Sequence, residues 1–217
     1  SGVYSCDPQV IPQAKPIGHL SFNDAAQLAN HGAKILHPKA IQPAASKKIP
    51  VLVKNIFHPK HNGTAISAAA DKADFCKALT FIKNISVLKI NTVNKNIRDH
   101  RLIEVFAILD KYATSTIALK TEKEHTVVVL KNAKRAKQLR HKLSEITAVR
   151  EVANQGLIGL IGCAGSNEMD ITAQVKKILP QKPKLSILND KTCVLTLLVD
   201  DNKLNEAVKK LHHFLFE

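Results

Sequence analysis

RLIEVFAILDKYATSTIALKTEKEHTVVVL, residues 101–130, is the stretch that decides the fold. Apolar residues recur at helical spacing in its first half and predict an amphipathic helix with one apolar face: Leu102, Val105, Phe106 and Leu109. The pattern then changes to β-branched and aliphatic residues over 114–119 and 126–130, with a short polar connection between them. A helix followed by a strand hairpin is the central part of a βαββαβ unit.

The flanking sequence supplies the rest of that unit. Residues 85–90 predict a strand before the helix, residues 133–146 predict a second helix, and residues 148–152 predict a closing strand. The order βαββαβ is that of a small ferredoxin-like module. The sequence therefore predicts an α+β fold for this region.

A second copy of the same order follows. It comprises a strand at 157–161, a helix at 169–179, a hairpin at 184–188 and 193–199, and a helix at 204–216. No strand follows this last helix in the sequence, and an incomplete sheet would leave an unpaired edge. We expect residues 77–82, which precede the first copy, to supply that strand, so that one module is inserted within the other.

Composition narrows the class of protein. The 217 residues are 45% hydrophobic, no apolar run is long enough to cross a membrane, and the first residues lack the apolar core of a signal peptide. A cytoplasmic location is therefore expected, with no membrane partner. The four cysteines form no CxxC or Cys/His cluster, so we expect free thiols, no disulfide and no metal site: Cys6, Cys76, Cys163 and Cys193.

The net charge of +14 is unevenly distributed. Residues 83–150 carry 15 Lys and Arg against 6 acidic residues, whereas residues 151–217 balance at 8 and 8. The densest run, 131–142, alternates with apolar residues at helical spacing, so its cations should lie on a solvated helix face. With no Trp and no recognition motif, nucleic acid is not the expected partner.

The first third of the chain has a different character. Its opening 22 residues are rich in Pro and Gly and predict loops, residues 23–31 predict a helix that ends at Gly32, and residues 49–55 predict a strand. A polar, alanine-rich span follows and marks the best boundary. The expected domains are residues 1–69, 70–152 and 153–217.

At this point several motifs carry a resemblance to a family. SGVYSCDP, HGAKILHPKAIQPA, IPVLVKN and HPKHNGT, in this order, resemble the end of the aspartokinase catalytic domain, which has an amino-acid-kinase fold. LIEVFAIL and VKKLHHFLFE are similar to the paired ACT domains of the lysine-sensitive class. The resemblance covers the whole chain. It implies the last part of an α/β kinase domain followed by two ACT-like modules with a regulatory and dimerising role.

The resemblance also implies a nucleotide site. Tyr4 and Asp7 would line the nucleotide pocket, and Lys34 would approach the phosphates of ATP, which the complete enzyme uses with Mg²⁺ to phosphorylate the β-carboxylate of aspartate. Gln9 stands where the family has Arg or Lys. The family's phosphate-binding KFGGTS-like segment does not occur in this sequence. We therefore assign no catalytic residue and expect this chain alone to bind no cofactor and to lack kinase activity.

An amino-acid effector site is the second implication. By position, its residues would be Arg98, Leu102, Ser115, Thr116 and Thr121. Where lysine-sensitive relatives carry an Asp and a Glu, this sequence has Ile117 and Lys123. A buried ammonium group needs a carboxylate partner, so we expect lysine inhibition to be lost or greatly weakened.

The function implied is the regulatory and dimerisation region of an aspartate kinase, acting as a homodimer with a possible small amino-acid effector. Two alternatives stay open at this stage. One is a stand-alone amino-acid-binding ACT protein, against which residues 1–66 argue, because a sensor has no use for part of a nucleotide pocket. The other is a basic RNA-binding protein, which rests on charge alone.

Overall fold

The computed structural model describes residues 2–33, 38–68, 76–92, 99–112, 116–122, 124–131, 133–163, 168–189 and 192–217, with the side chains of 38, 39, 99–102 and 168–170 excepted. These residues form two compact units. The inserted unit is Lys83–Gly156, and the discontinuous unit combines Ser1–Ile82 with Leu157–Glu217.

The described elements follow one another in this order: β1 (Val3–Tyr4), β2 (Pro16–Ile17), β3 (His19–Ser21), α1 (Phe22–Asn30), α2 (Pro38–Ser46), β4 (Val51–Val53), β5 (Thr64–Ser67), β6 (Ala78–Asn91), α3 (Asp99–Lys111), β7 (Thr116–Thr121), β8 (His125–Leu130), α4 (Ala133–Ser144), β9 (Val149–Ile161), α5 (Glu168–Ile178), β10 (Leu185–Asn189), β11 (Val194–Asp200) and α6 (Asp201–Phe216).

The inserted unit has the predicted ferredoxin-like order. Its strands lie in the order β9-β6-β8-β7, and both β6–β8 and β7–β8 are antiparallel. Helices α3 and α4 cover one face, and a single apolar core forms beneath them: Leu88, Ile90, Val105, Leu109, Val128, Leu130, Ala136, Leu139 and Leu143. The α+β fold class predicted from residues 101–130 is confirmed.

One expected core residue of α3 is not buried. Val105 and Leu109 pack inward, but Phe106 is 45% exposed and Ile103 is 69% exposed. Successive helix positions differ by about 100° around the axis. A stripe centred on Val105 and Leu109 therefore leaves Phe106 at its edge, and the expectation that Phe106 lies inward is wrong.

The discontinuous unit contains the second module. Its sheet has the order β10-β11-β9-β6, and α5 and α6 pack on it through a core that includes Val175, Leu197 and Leu211. A second core joins α1 to the small sheet β3-β5-β4 through Leu20, Leu28 and Ile66. The predicted second copy, from helix α5 to helix α6, is confirmed.

Two pairs of predicted strands are single long strands. Residues 78–82 and 85–90 belong to β6, and residues 149–152 and 157–161 belong to β9. Asn84 and Asn154, which lie between the predicted strands, adopt φ angles of +52° and +53° within β6 and β9. Asn tolerates this left-handed conformation, so each strand continues through it.

The start of β6 pairs within the discontinuous unit. Lys77 N–H donates to the Ile161 carbonyl at 2.9 Å, and the Thr80 hydroxyl reaches the Gly159 carbonyl. Residues 77–82 thus extend the second sheet, as the insertion hypothesis requires. The predicted boundary at residue 153 falls inside β9, and the boundary at residue 70 lies outside the described residues, so the three-domain division stays a prediction.

The N-terminal third is more regular than the sequence predicts. The opening 22 residues, expected to be loops, contain β1, β2 and β3, and the sequence also gives no indication of α2 and β5. Pro43 lies inside α2, and an internal proline argues against a helix because it removes a hydrogen-bond donor. The predicted helix at 23–31 and the strand at 49–55 are present as α1 and β4.

The four cysteines form no disulfide, and Cys6 and Cys76 are buried. Within the described ranges, no three His, Cys, Asp or Glu side chains gather in a metal-binding arrangement. No helix in the part of the chain that the structure describes is long and apolar enough to cross a membrane.

Candidate functional site

A cleft of about 510 Å³ lies in the discontinuous unit. Three segments line it: Gly2–Gln9, the end of α1 with Gly32 and Ala33, and Leu79–Phe81 of β6. The volume lies within the range of small-molecule sites. Two of the residues that the sequence analysis assigns to a nucleotide, Tyr4 and Asp7, therefore lie in one concave site.

The first wall is held by strand pairing and by one buried hydroxyl. Val3 and Tyr4 of β1 pair with Ile17 and Pro16 of β2. The Thr64 hydroxyl accepts from Val3 N–H at 2.7 Å and donates to the Ile17 carbonyl. This bridge ties both strands to β5, so the backbone that presents Tyr4 is fixed on two sides.

Asp7 begins a tight turn in the same wall. Its Oδ1 accepts from Gln9 N–H at 2.9 Å, and its carbonyl accepts from the N–H groups of Val10 and Ile11. This is an Asx turn, in which a short carboxylate caps the backbone that follows it. The turn brings Gln9 into the cleft lining, at the position where the resemblance expects a cation.

The second wall is the end of α1. Ala33 N–H donates to the Leu28 carbonyl and Gly32 N–H donates to the Ala29 carbonyl, which is the bonding pattern of a Schellman motif. Gly32 has a φ of +104°, which favours glycine at this position. The predicted end of the helix at Gly32 is thereby explained.

The third wall comes from β6. Leu79 N–H donates to the Ser5 carbonyl at 2.7 Å, so β6 is bonded directly to the first wall. Leu79 and Thr80 are buried, whereas Phe81 is partly exposed. Phe81 and Tyr4 thus give this cleft two aromatic side chains.

The described lining carries one acidic side chain, Asp7, and no Lys, Arg or His. Cys6 contributes a neutral thiol, because burial raises the pKa of Cys6 to about 12, although a backbone hydrogen bond at Asp7 opposes the effect. The lining suits a flat, largely apolar group with a few polar edges. Lys34, the predicted phosphate-binding cation, lies outside the described residues, and so its role stays a prediction.

The predicted effector residues lie in the inserted unit. Thr116 and Thr121 stand at opposite ends of β7, about 16 Å apart by strand geometry. A bulge between Thr116 and Ala118 shifts the register so that Thr116 pairs with Leu130 and Thr121 pairs with Thr126. Directly paired residues share a sheet face, and alternation along β8 therefore places both hydroxyls on one face.

Each threonine already has a partner. Thr116 Oγ1 donates to the Tyr112 carbonyl at 3.3 Å, and Thr121 Oγ1 lies 3.2 Å from Thr126 Oγ1. Ile117 is half-buried at the bulge. Arg98, Ser115 and Lys123 lie outside the described residues, as does the side chain of Leu102, so the effector assignments stay predictions.

An acidic residue, Glu122, immediately precedes Lys123, the position at which lysine-sensitive relatives carry a Glu. Glu122 Oε2 lies 3.1 Å from His125 Nε2, and Glu122 Oε1 lies 3.5 Å from Lys120 Nζ. The carboxylate is thus shared between two local cationic or titratable groups. It is less available to a ligand ammonium than an unpartnered acid would be.

The sequence analysis missed the β6 wall entirely. Leu79, Thr80 and Phe81 stand about 70 residues after Asp7 and carry no binding motif. Only the pairing of β6 with β9 and the hydrogen bond from Leu79 to Ser5 bring them to the cleft. The sequence predicts Gly32 as the end of a helix, but it does not indicate that Gly32 also lines the cleft.

Comparison with known proteins agrees with this geometry. Residues 1–55 match the model of the amino acid kinase family. The chain is 28% identical to lysine-sensitive aspartokinase 3 of Escherichia coli, covering 100% of the chain and 50% of that protein. It is 26% identical to aspartokinase 3, chloroplastic, of Arabidopsis thaliana, again over 100% of the chain but 41% of the relative.

Solved structures give the same result. E. coli aspartokinase III in complex with aspartate and ADP superimposes with a TM-score of 0.88 at 28% identity, over 100% of this chain and 50% of that one. The regulatory subunit of aspartate kinase from Thermus flavus shares the fold alone, with a TM-score of 0.53 at 10% identity, over 66% of this chain and 100% of that one.

The fold and the cleft define a class: an amino-acid-kinase segment joined to two ferredoxin-like modules. Within that class, the chain is the counterpart of the C-terminal half of the aspartokinases. It spans about half or less of the length of the curated relatives that it matches.

Proposed function

We propose that this chain is the regulatory and dimerisation region of an aspartate kinase, together with part of its nucleotide site. The complete enzyme transfers a phosphoryl group from ATP to the β-carboxylate of aspartate. The observation that carries the proposal is the cleft, because it unites Tyr4 and Asp7 with residues of the regulatory sheet. Its whole-length likeness to aspartokinases supports the same conclusion.

The described lining fits the nucleoside part of ATP. Tyr4 and Phe81 offer flat apolar faces to a base, and Asp7, Gln9 and Thr80 offer polar atoms at the edges of the cleft. By the resemblance, Lys34, two residues beyond Gly32 in the sequence, would meet the phosphates, for which a Lys side chain supplies a mobile positive charge. Bound ATP supplies the phosphoryl group, and Mg²⁺ neutralises its charge.

Although the sequence alone predicts no bound cofactor, we infer from the cleft that this chain holds a nucleotide weakly, and it does not catalyse the transfer by itself. Phosphoryl transfer requires the phosphates, the metal and the acceptor to be held together. The described lining of the cleft suits the nucleoside part of ATP and includes no site for aspartate. We therefore expect no acyl phosphate when the chain is mixed with ATP, Mg²⁺ and aspartate. Trapping with hydroxylamine measures the product, and aspartyl hydroxamate formed by this chain alone would contradict the assignment.

Homodimerisation through the inserted unit is the second part of the proposal. Three large apolar side chains of that unit are exposed: Ile103, Phe106 and Leu119. Ile103 and Phe106 stand three residues apart on α3 and so lie side by side on one helix face, and exposed apolar side chains grouped in this way are typical of a protein interface. A second copy of the chain suits it, because ACT-like modules in the resembled family pair with one another.

Light scattering tests the dimer. We expect the wild-type chain to have twice the 23.8 kDa mass of one copy. Ile103→Asp and Phe106→Asp should give monomers that keep their circular dichroism, whereas Ile56→Asp, at an even more exposed apolar site of the discontinuous unit, should stay dimeric. A wild-type monomer, or a dimer unaffected by both aspartates, would refute this interface.

An amino-acid effector is the third part. Because Ile117 and Lys123 replace the acids of lysine-sensitive relatives, we expect lysine to bind weakly or not at all in calorimetry. Threonine and methionine are measured in the same calorimetry experiment as the other candidate effectors. Tight lysine binding that is abolished by Thr121→Val, but not by the matched change Thr172→Val on α5, would show that the effector expectation is wrong.

The location expected from the sequence is the cytoplasm, where amino-acid biosynthesis proceeds in bacteria. The Arabidopsis relative is named chloroplastic, so the compartment follows the organism and stays a prediction. Fusion of a fluorescent protein to the full-length gene product in its own host would test it.

A further inference from the structure

The first residues of β6 touch both other walls of the cleft. Leu79 N–H donates to the Ser5 carbonyl of the first wall at 2.7 Å. Ile82 packs on the second wall: a Cβ placed at Gly32 would lie 2.6 Å from Ile82 Cγ1 and 3.2 Å from the Phe81 carbonyl oxygen. The side chain of Ile82 therefore occupies the space above the Gly32 backbone.

The contact falls at a sensitive point of α1. Gly32 is the left-handed residue of the Schellman motif and has a φ of +104°. It sets the direction in which the backbone leaves the helix toward Ala33. A side chain that packs on Gly32 thus acts on the positions of Gly32 and Ala33, and so on the width of the cleft.

Ile82 makes the contact between β6 and the end of α1 that depends on side-chain identity and that a substitution can therefore change. The Leu79–Ser5 hydrogen bond involves only backbone atoms and does not depend on side-chain identity. The Lys77–Asp24 ion pair, at 2.8 Å, fixes the opposite end of α1. Ile82 itself does not line the cleft, so it can influence a ligand only through Gly32 and the neighbouring Phe81.

We propose that Ile82 is a positioning residue for the cleft, which packs on Gly32 and so sets the nucleotide affinity of the site. The inference rests on the nucleotide function proposed above. It assigns to a strand of the regulatory sheet a direct role in shaping the nucleotide cleft. The strand continues without interruption to Asn91.

Three variants test the proposal in the full chain. Ile82→Ala removes the packing on Gly32, and Ile82→Val keeps most of it. Ile85→Ala is the matched control, because it deletes the same atoms from a buried position of the same strand, in the inserted unit. The readouts are amide hydrogen exchange by mass spectrometry and the binding of Mg·ADP by calorimetry.

We expect Ile82→Ala to accelerate exchange in residues 28–33 by roughly tenfold and to weaken Mg·ADP by roughly tenfold. Ile82→Val should restore both values, and Ile85→Ala should leave both unchanged. Unaltered exchange at 28–33 in Ile82→Ala would overturn the positioning role. If the exchange pattern appears while wild-type chain binds no Mg·ADP, positioning stands and the nucleotide function fails.

A double-mutant cycle gives an independent check. Gly32→Ala forces a methyl group against Ile82 as well as straining the backbone. Adding Ile82→Ala removes the clash but not the strain, so the double variant should show less exchange at 28–33 than the sum of the single effects. If the effects of the two substitutions on exchange were strictly additive, the two residues would not be energetically coupled, and this result would overturn the proposal.

Discussion

Ser5 Oγ and His212 Nε2 lie 3.0 Å apart, although 207 residues separate them in the sequence. Both residues are buried, with 2% and 1% of their surface exposed. Ser5 Oγ accepts from Lys15 N–H at 2.9 Å, so its own hydrogen is available to the imidazole. In the tautomer with its proton on Nδ1, which lies 3.5 Å from Glu217 Oε1, the neutral ring accepts this hydrogen at Nε2.

The first prediction is that acidification destabilises the discontinuous unit through His212. Burial lowers the pKa of His212 below its usual value of 6.5, and the nearby Glu217 only partly opposes this. In the window below pH 6.5 the unfolded chain binds more protons than the folded chain, so the free energy of unfolding falls as pH decreases. The contribution of the neutral, buried ring is fully present above pH 6.5 and is lost as pH falls through the folded-state value.

Urea unfolding between pH 5 and pH 8 measures this dependence. His212→Gln should flatten the slope and should lower the free energy of unfolding at pH 8 by about 1–2 kcal/mol, since the amide replaces the ring imperfectly. His213→Gln is the control, because His213 is exposed and contacts only the local Glu217 carboxylate in this cluster. A pH slope equal to wild type in His212→Gln would remove His212 as its origin.

The second prediction concerns the ion pair between α1 and the residue before β6. Asp24 Oδ2 accepts from Lys77 Nζ at 2.8 Å and from Ser21 N–H at 3.1 Å, so one carboxylate both pairs a charge and closes a capping box. Asp24→Ala should lower the free energy of unfolding by roughly 2–4 kcal/mol, because the cap is lost and Lys77 keeps a mostly buried, unpaired charge.

A double-mutant cycle separates these two effects. Asp24→Asn keeps an acceptor for Ser21 N–H, and Lys77→Met removes the ammonium group without removing its apolar stem. The double variant should be more stable than the sum of the single losses implies, by about 1–3 kcal/mol. Additive losses would show that the cap, and not the ion pair, accounts for the stability at Asp24.

The sequence predicted the modules well and the cleft only in part. Regular periodicity marked α3, α4, α5 and α6, because each has one apolar face packed on a sheet. The motif around Tyr4 and Asp7 indicated one wall of the cleft. The wall at Leu79–Phe81 carried no local signal, because it depends on the pairing of β6 and β9, which are distant in sequence.

The errors have local causes. The sequence predicts a separate strand on each side of Asn84 and of Asn154, but Asn tolerates a positive φ, and β6 and β9 each run through it as one strand. Pro43 argues against a helix at α2, because proline is unfavourable in a helix interior. Ile41 of α2 packs into the core shared by α1 and the β3-β5-β4 sheet, and this packing offsets the cost of the proline. Tertiary contacts decided the outcome in each case.

The third prediction tests the positive φ of Asn154 in β9. Its φ of +53° favours Gly and disfavours β-branched residues. Asn154→Gly should change the free energy of unfolding by less than about 0.5 kcal/mol, whereas Asn154→Val should lower it by about 1–2 kcal/mol. Ala153→Val in the same strand, where φ is not positive, is the control and should be nearly neutral. Equal effects of valine at both positions would mean that backbone strain at Asn154 is absent.

The fourth prediction concerns the basic face of α4. Lys134, Lys137 and Lys142 are exposed, while Ala136, Leu139 and Leu143 of the same helix are buried. Such a face is expected to be solvated, so Lys134→Glu with Lys137→Glu should change the free energy of unfolding by less than about 0.5 kcal/mol per site.

The same two variants also test the nucleic-acid alternative. Contacts between lysines and phosphates release counterions, and so they make binding steeply dependent on salt. We expect no RNA binding by the wild-type chain at about 150 mM salt, as measured by fluorescence anisotropy with a random single strand. Micromolar binding that weakens steeply with salt, and that the two glutamates abolish, would make α4 a nucleic-acid surface and would reopen the alternative.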